Sequence, residues 1–241
     1  MEEAAELANY LPLSFKNPKE EAYIEFLWDA FETNYTHGKY QFAFLAYHML
    51  TMSFVYFNIW QIKQAEPKDF AMGLIGFGKD VERTLLDATS PFVFSTVNER
   101  SILRFLKLIE CDNSEIGTYA KLVDDRNDSA HSNGNIFFST EAALDAKIYE
   151  ILRVVDEIQT HSESIIEHCY REFLLQNHAT DEREYPNSAD QIREVLIHQN
   201  YMSQKDIAIC AAYDLSSHKA HDFFADIDAL HQCLQQQYAS A

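Results

Sequence analysis

The stretch from Glu141 to Asn177, EAALDAKIYEILRVVDEIQTHSESIIEHCYREFLLQN, decides the fold class of this chain. Apolar residues recur in it every three or four positions over about ten turns, the period of an α-helix with one buried face. The stripe consists of Leu144, Ile148, Ile151, Val155, Ile158, Ile165, Ile166, Cys169 and Phe173. A helix of this length predicts that the chain packs helix against helix.

The composition of the chain agrees with a helical fold. Only six Gly and five Pro occur in 241 residues, whereas a β-sandwich needs many tight turns that are usually built with these residues. Apolar residues make up 47% of the chain, which is enough to bury a full core. We therefore predict an all-α protein, a bundle of five to six helices with a short helical C-terminal appendage.

Helix-start and helix-stop residues divide the rest of the chain. Asn17 and Pro18 have the order of a cap and a first-turn proline, Thr96 and Glu99 have the spacing of a capping box, and Gly134 suits a left-handed C-cap. The resulting helices are predicted over residues 18–33, 39–64, 67–88, 97–110, 115–134, 189–198, 204–213 and 218–238.

A polar segment that contains a proline, TDEREYPN at 180–187, is the best candidate linker. It divides the chain into a predicted bundle over residues 1–179 and an appendage over residues 188–241. The appendage resembles a helix-turn-helix only in its succession of a helix, a turn and a second helix, and it has too few cations to bind duplex DNA. We interpret it as a protein-contact module or a flap over the bundle.

Residues 42–60, FAFLAYHMLTMSFVYFNIW, contain no charged side chain of Asp, Glu, Lys or Arg. The length approaches that of a membrane span. However, the polar residues His48, Thr51, Ser53 and Asn58 interrupt the segment, and its aromatic residues run through the middle. We expect a helix buried in the core of a protein without membrane contact, and a membrane-associated protein is the alternative.

Charge and cysteine content restrict the partners and the compartment. The formal net charge is −19, with 38 acidic and 19 basic residues, which argues against non-specific coating of nucleic acid but leaves room for a local basic site. The four cysteines are widely spaced and form no C-x-x-C pair, and the N-terminus lacks the pattern of a signal peptide. We expect a reduced, cytoplasmic protein.

One short segment combines the residue types of a catalytic site. Arg126-Asn127-Asp128-Ser129-Ala130-His131 places an imidazole five residues after a guanidinium, and Gly134 follows shortly. Histidine titrates near neutrality and can transfer a proton, while the planar fork of arginine matches a phosphate. This RN-x-x-AH pattern in an all-helical chain resembles the R-x4-H motif of the HEPN family (higher eukaryotes and prokaryotes nucleotide-binding).

The resemblance implies a HEPN-like bundle and metal-independent cleavage of RNA by attack of the 2′-hydroxyl, as in a toxin or antiviral defence effector. It implies catalytic roles for Arg126 and His131 and a supporting role for Asn127. On one helix Arg126 and His131 point about 140° apart. The family solves this by forming a homodimer in which two motifs share a cleft. Such an effector is also expected to bind an antitoxin or another regulatory protein.

Two alternatives to the endoribonuclease stay open. Asp124, Asp125 and Asp128 surround the motif, where they would repel phosphate or pair with Arg126. The segment would then be a solvated helix end with local ion pairs. The chain would otherwise be a non-catalytic HEPN-like module that binds a nucleotide, an RNA or a protein partner.

A basic stripe is the second feature that bears on RNA. Arg100, Arg104 and Lys107 fall on one side of the predicted helix over 97–110, and Lys79 and Arg83 repeat the spacing nearby. We predict RNA-backbone contacts at these five side chains. An ordinary exposed helix face is the alternative.

No cofactor or metal is expected from the sequence. His161 and His168 lie near Glu163 and Glu167, but their spacing does not match the Glu-x-x-His pairs of a di-metal bundle. No phosphate-binding glycine loop, nucleophile elbow or dinucleotide motif occurs.

Overall fold

The computed structural model describes residues 2–131 and 134–238. The first long helices form a hairpin, with α1 at Pro18–Thr36 and α2 at Tyr40–Ala65. Asn17 accepts the backbone N–H of Lys19 and Pro18 occupies the first turn, as predicted. Gly38, with φ +67°, makes the turn between the two helices because this backbone conformation suits glycine. A short 3-10 helix at Glu3–Tyr10, which the sequence did not indicate, packs on the same core.

Helix α2 is the centre of the bundle and is buried on almost all its faces. It is long and apolar enough to cross a membrane by length and composition, but 83% of its most apolar window is buried inside the protein. The polar side chains His48, Thr51, Ser53 and Asn58 are all buried. Thr51, Ser53 and Asn58 donate hydrogen bonds to backbone carbonyls one turn earlier. A core helix in which these three polar side chains are satisfied accounts for the apolar composition.

The region predicted as two helices over 67–88 and 97–110 is more broken than expected. Helix α3 covers Pro67–Gly73 and α4 covers Lys79–Leu86, because Gly76 adopts φ +100° between them. A 3-10 helix at Pro91–Thr96 follows. Helix α5 covers only Glu99–Leu103, and a 3-10 helix continues over Arg104–Ile109. The cap is Asn98, which accepts the Ser101 N–H, while the Thr96 hydroxyl donates to a carbonyl within the preceding turn.

Helix α6, at Asn113–Ala130, carries most of the predicted catalytic motif. Asp112 and Glu115 form a capping box at its start. The helix ends before His131, which is extended and donates its backbone N–H to the Asn127 carbonyl at 3.1 Å. Gly134 has φ +81° but lies beyond this end, so the predicted C-cap at Gly134 is wrong. Residues 132 and 133 lie outside the described part of the chain.

Helix α7, at Glu141–Asn177, has the predicted bounds, and Thr140 caps it by accepting the Ala143 N–H. Its first half packs against α2 in one hydrophobic cluster, and its residues from Ile166 onward belong to a second cluster with the C-terminal helices. These are α8 (Ser188–Gln191), which continues as a π-helix over Ile192–His198, α9 (Gln204–Ala212), a 3-10 helix (Leu215–His218) and α10 (Phe224–Tyr238).

The all-α class is therefore confirmed. Within residues 2–131 and 134–238 the only β contact is an isolated bridge between Pro12 and Ser203. The boundary between the two hydrophobic clusters falls inside α7, at Ile165 and Ile166, and not at residues 180–187. The division into 1–179 and 188–241 stays a prediction.

Candidate functional site

A cavity of about 870 Å³ opens among α1, α2, α5, α6 and the 3-10 helix at Pro91–Thr96. Its walls combine aromatic and apolar side chains with polar and charged ones. The lining includes Lys19, Glu20, Tyr56, Glu99, Arg100, Arg126 and Asn127. The volume is in the range of pockets that hold small ligands.

Three ionisable side chains form a chain beside this cavity. The Arg126 guanidinium lies 2.7 Å from Oε2 of Glu99, and Nε2 of His48 lies 3.1 Å from the same oxygen. The exposed fraction of the side chain falls from 32% for Arg126 to 17% for Glu99 and 1% for His48. The network therefore runs from the cavity wall into the core of α2.

The electrostatics of the network keep Glu99 ionised. Burial would raise the pKa of Glu99, but hydrogen bonds and charge from His48 and Arg126 outweigh it, so the pKa lies below its ordinary value. The carboxylate balances the charge of Arg126. Nδ1 of His48 is buried and has no hydrogen-bond partner in the part of the chain that the structure describes.

A second carboxylate of the cavity lining, that of Glu20, is held by neutral donors. Glu20 is only 5% exposed, and its two carboxylate oxygens accept hydrogen bonds from Ser90 and Tyr201. Burial, with a smaller contribution from Glu99, raises the pKa of Tyr56 far above its ordinary value, so this phenol stays protonated at neutral pH. The hydroxyl can donate a hydrogen bond at neutral pH.

The structure brings two of the three predicted catalytic residues to the cavity. Arg126 and Asn127 are adjacent on α6 and both line it. His131 is exposed and lies directly after the end of the helix. It is not one of the described residues that line the cavity. One copy of the chain therefore does not bring His131 to the cavity wall with Arg126 and Asn127.

Two of the three acidic residues around the motif, Asp124 and Asp125, pair with cations other than Arg126. Asp125 lies 2.8 Å from Nζ of Lys147, and Asp124 pairs with Arg100. The carboxylate that pairs with Arg126 is Glu99, from a different helix. No local pattern in the sequence indicates this pair, since the two residues are 27 positions apart.

The predicted RNA contacts are distributed over several elements. All five side chains are exposed, but they do not form one stripe on one α-helix, because residues 104–109 are a 3-10 helix. With three residues per turn, Arg104 and Lys107 still share a side, and both line a second cavity of about 650 Å³. Arg83 lies 3.4 Å from Asp80 on α4, the helix that begins at Lys79. The RNA-binding roles stay predictions.

A further group of side chains was not recognised as a set in the sequence. Ligand atoms of Cys111, Glu115 and His161 all lie within 4.8 Å of one another. The histidine is 46 positions from Glu115 along the chain, so only the packing of α7 against the start of α6 reveals the cluster. His168, the other histidine considered for metal binding, lies 2.7 Å from Glu66.

Comparison with known proteins identifies no relative. No family model matches the chain, and no curated protein and no solved structure is significantly similar to it.

Proposed function

We propose that the chain is a HEPN-type bundle that acts as a metal-independent endoribonuclease, with a catalytic site shared by two copies. The proposal rests on the RN-x-x-AH motif in an all-α chain. The observation that carries it is the position of Arg126 and Asn127 on the wall of a large cavity, with an exposed imidazole at the end of the same helix.

The reaction assigned to this site needs one base, one acid and a cation. A neutral His131 imidazole takes the proton of the ribose 2′-hydroxyl, whose oxygen then attacks the adjacent phosphorus. The bond from phosphorus to the 5′-oxygen breaks, and the imidazolium of the second copy gives its proton to that oxygen and becomes a neutral imidazole. The products are a 2′,3′-cyclic phosphate and a 5′-hydroxyl. Arg126 stabilises the charge that develops on the phosphoryl oxygens, and Asn127 orients the phosphate.

The ion pair between Arg126 and Glu99 is compatible with this role. A guanidinium has five N–H donors, so one edge can remain on Glu99 while another faces a phosphate. Glu99 would then hold the arginine in place, as a positioning residue. Its paired carboxylate lowers the net charge of the cavity, so we expect phosphate binding to be weaker than at an unpaired arginine.

The experiment is cleavage of end-labelled RNA in EDTA by the full chain and by Arg126→Ala and His131→Ala. We expect wild-type cleavage that leaves cyclic phosphate ends, with a loss of about 100-fold or more in His131→Ala. His37→Ala is the matched control, because His37 is an exposed histidine at the end of α1 and should not affect the rate. Equal cleavage by wild type and His131→Ala would contradict the proposal, and so would failure to cleave any RNA.

A second candidate, a non-catalytic module that binds a nucleotide in the cavity, is favoured by one observation. Arg126 is charge-paired, and His131 is not part of the cavity lining described above. Calorimetric titration with nucleoside phosphates separates the two proposals. The module predicts binding that is lost in Arg126→Ala, unchanged in His131→Ala and not accompanied by cleavage.

A further inference from the structure

The start of α6 and the middle of α7 bring together three side chains of different chemistry. Cys111 is 3% exposed, whereas Glu115 and His161 are half-buried. Nε2 of His161 lies 3.0 Å from Oε1 of Glu115. Two ligand atoms about 2.0–2.2 Å from a common ion are typically about 3 Å apart or slightly more. The pair therefore needs little movement to share a metal.

The carboxylate of this cluster is already oriented by the backbone. Oε2 of Glu115 accepts the Asp112 N–H at 2.6 Å as part of the capping box. That bond leaves Oε1 directed toward His161. Metal ligands are commonly held in this way by a second hydrogen bond, which reduces the reorganisation needed for binding.

A buried hydroxyl beside the cysteine provides an independent indication. Tyr119, one turn after Glu115 on α6, is 1% exposed, and its hydroxyl lies against the Cys111 thiol, with no oxygen or nitrogen partner among the described residues. It lies close enough to the Cys111 thiol for each group to influence the pKa of the other. A thiol is a weak acceptor, whereas a metal-bound thiolate would accept a hydrogen bond from this phenol.

We propose that Cys111, Glu115 and His161 bind a zinc ion, with the fourth position left to water. Thiolate, imidazole and carboxylate are the ligand types of zinc, and the thiolate disfavours magnesium and calcium. On binding, the Cys111 thiol loses its proton to solvent and the Sγ–Zn bond forms, while His161 and Glu115 coordinate as neutral imidazole and carboxylate. No electron is transferred.

The position of this site indicates a structural role. Glu115 and Arg126 are separated by about 17 Å along α6. The three ligands lie outside the described lining of the cavity at Arg126. The ion would connect the start of α6 to α7 and thereby fix the helix that carries the RN-x-x-AH motif. The inference does not depend on the proposed RNA cleavage, which EDTA should leave intact.

In the experiment, EDTA first removes bound metal from the full chain. The metal-free protein is then titrated with zinc and, in a parallel sample, with cobalt. We expect one zinc per chain and a thiolate-to-cobalt charge-transfer band in the near ultraviolet. Affinity should fall at least tenfold in Cys111→Ser and in His161→Gln. Zinc should raise the melting temperature of the wild type and have little effect on these variants.

Two variants serve as matched controls. His168→Gln removes a histidine–glutamate pair on the same helix α7, and Cys233→Ser removes a cysteine in α10. Both should bind zinc like the wild type. Melting curves in EDTA show whether Cys111→Ser folds. If this variant does not fold, the zinc affinity of His161→Gln, at a half-buried position, is the deciding measurement. Absence of stoichiometric zinc, a cobalt complex without the thiolate band, or equal affinity in His161→Gln and His168→Gln would overturn the proposal.

Discussion

Two carboxylates, the partly exposed Glu99 in the bundle and the buried Asp206 at the start of α9, are stabilised in opposite ways. Glu99 is held by Arg126 and His48, and it faces a large cavity. Asp206 is 3% exposed and receives hydrogen bonds from neutral groups only: Gln61 at 2.9 Å, Gln159 at 2.7 Å and the Ser203 N–H at 2.8 Å. The first carboxylate has a cation at the surface of a cavity, and the second has none among the residues that the structure describes.

The different surroundings of Glu99 and Asp206 indicate different roles for the two carboxylates. Burial raises the pKa of Asp206 despite its hydrogen bonds, whereas the pKa of Glu99 is lowered by its charged partners. Asp206 connects α9 to both α2 and α7, so it attaches the C-terminal helices to the bundle. Glu99 connects an arginine at a cavity to the core, an arrangement suited to holding a functional guanidinium.

The largest effect is expected for Asp206→Ala. The substitution leaves two glutamine amides and a backbone N–H without an acceptor in a closed environment. We expect the free energy of unfolding to fall by about 3–5 kcal/mol, measured by urea denaturation. Asp222→Ala, at an exposed position of the same region, should change it by less than about 0.5 kcal/mol. Similar losses in the free energy of unfolding for the two variants would show that Asp206 does not attach the C-terminal helices to the bundle.

A smaller effect is expected for Glu99→Ala. The variant leaves Arg126 partly exposed, where water can solvate it, and His48 buried without its partner. The free energy of unfolding should decrease by about 1–3 kcal/mol. Glu82→Ala, an exposed glutamate of α4, is the control. A neutral result for Glu99→Ala would mean that the network contributes nothing to the fold, and the comparison with Asp206 would fail.

The pH dependence of the C-terminal helices gives a further test. Burial lowers the pKa of His231, and its Nδ1 lies 2.8 Å from the Tyr170 hydroxyl. Below pH 6.5, the ordinary value for histidine, the unfolded chain takes up a proton that the folded chain resists. Stability should therefore decrease as the pH falls from 6.5. His231→Gln should reduce this slope and the exposed His221→Gln should not, as measured by melting temperature against pH.

The sequence predicted those features that depend on local chemistry. The bounds of α7 and the Asn17 cap follow from neighbouring residues, and both are confirmed. The division of 97–110 into an α-helix and a 3-10 helix did not follow, because tertiary packing outweighs weak local preferences in a short segment. The partners of Arg126 and His161 could not be predicted from the sequence either, since they come from distant parts of the chain.

The assignment of Arg126 and Asn127 to one site came from the sequence motif, and the cavity beside them came from the fold alone. His131 shows the limit of both. It is exposed directly after the end of α6, and a single copy of the chain does not bring it to the cavity. The central claim is therefore that two copies complete the site.

Light scattering coupled to size-exclusion chromatography tests this claim most directly. At the protein concentrations used for RNA cleavage, we expect a mass of twice the 27.9 kDa of one chain. A mass of 27.9 kDa at every concentration that supports cleavage would contradict a catalytic site shared by two copies.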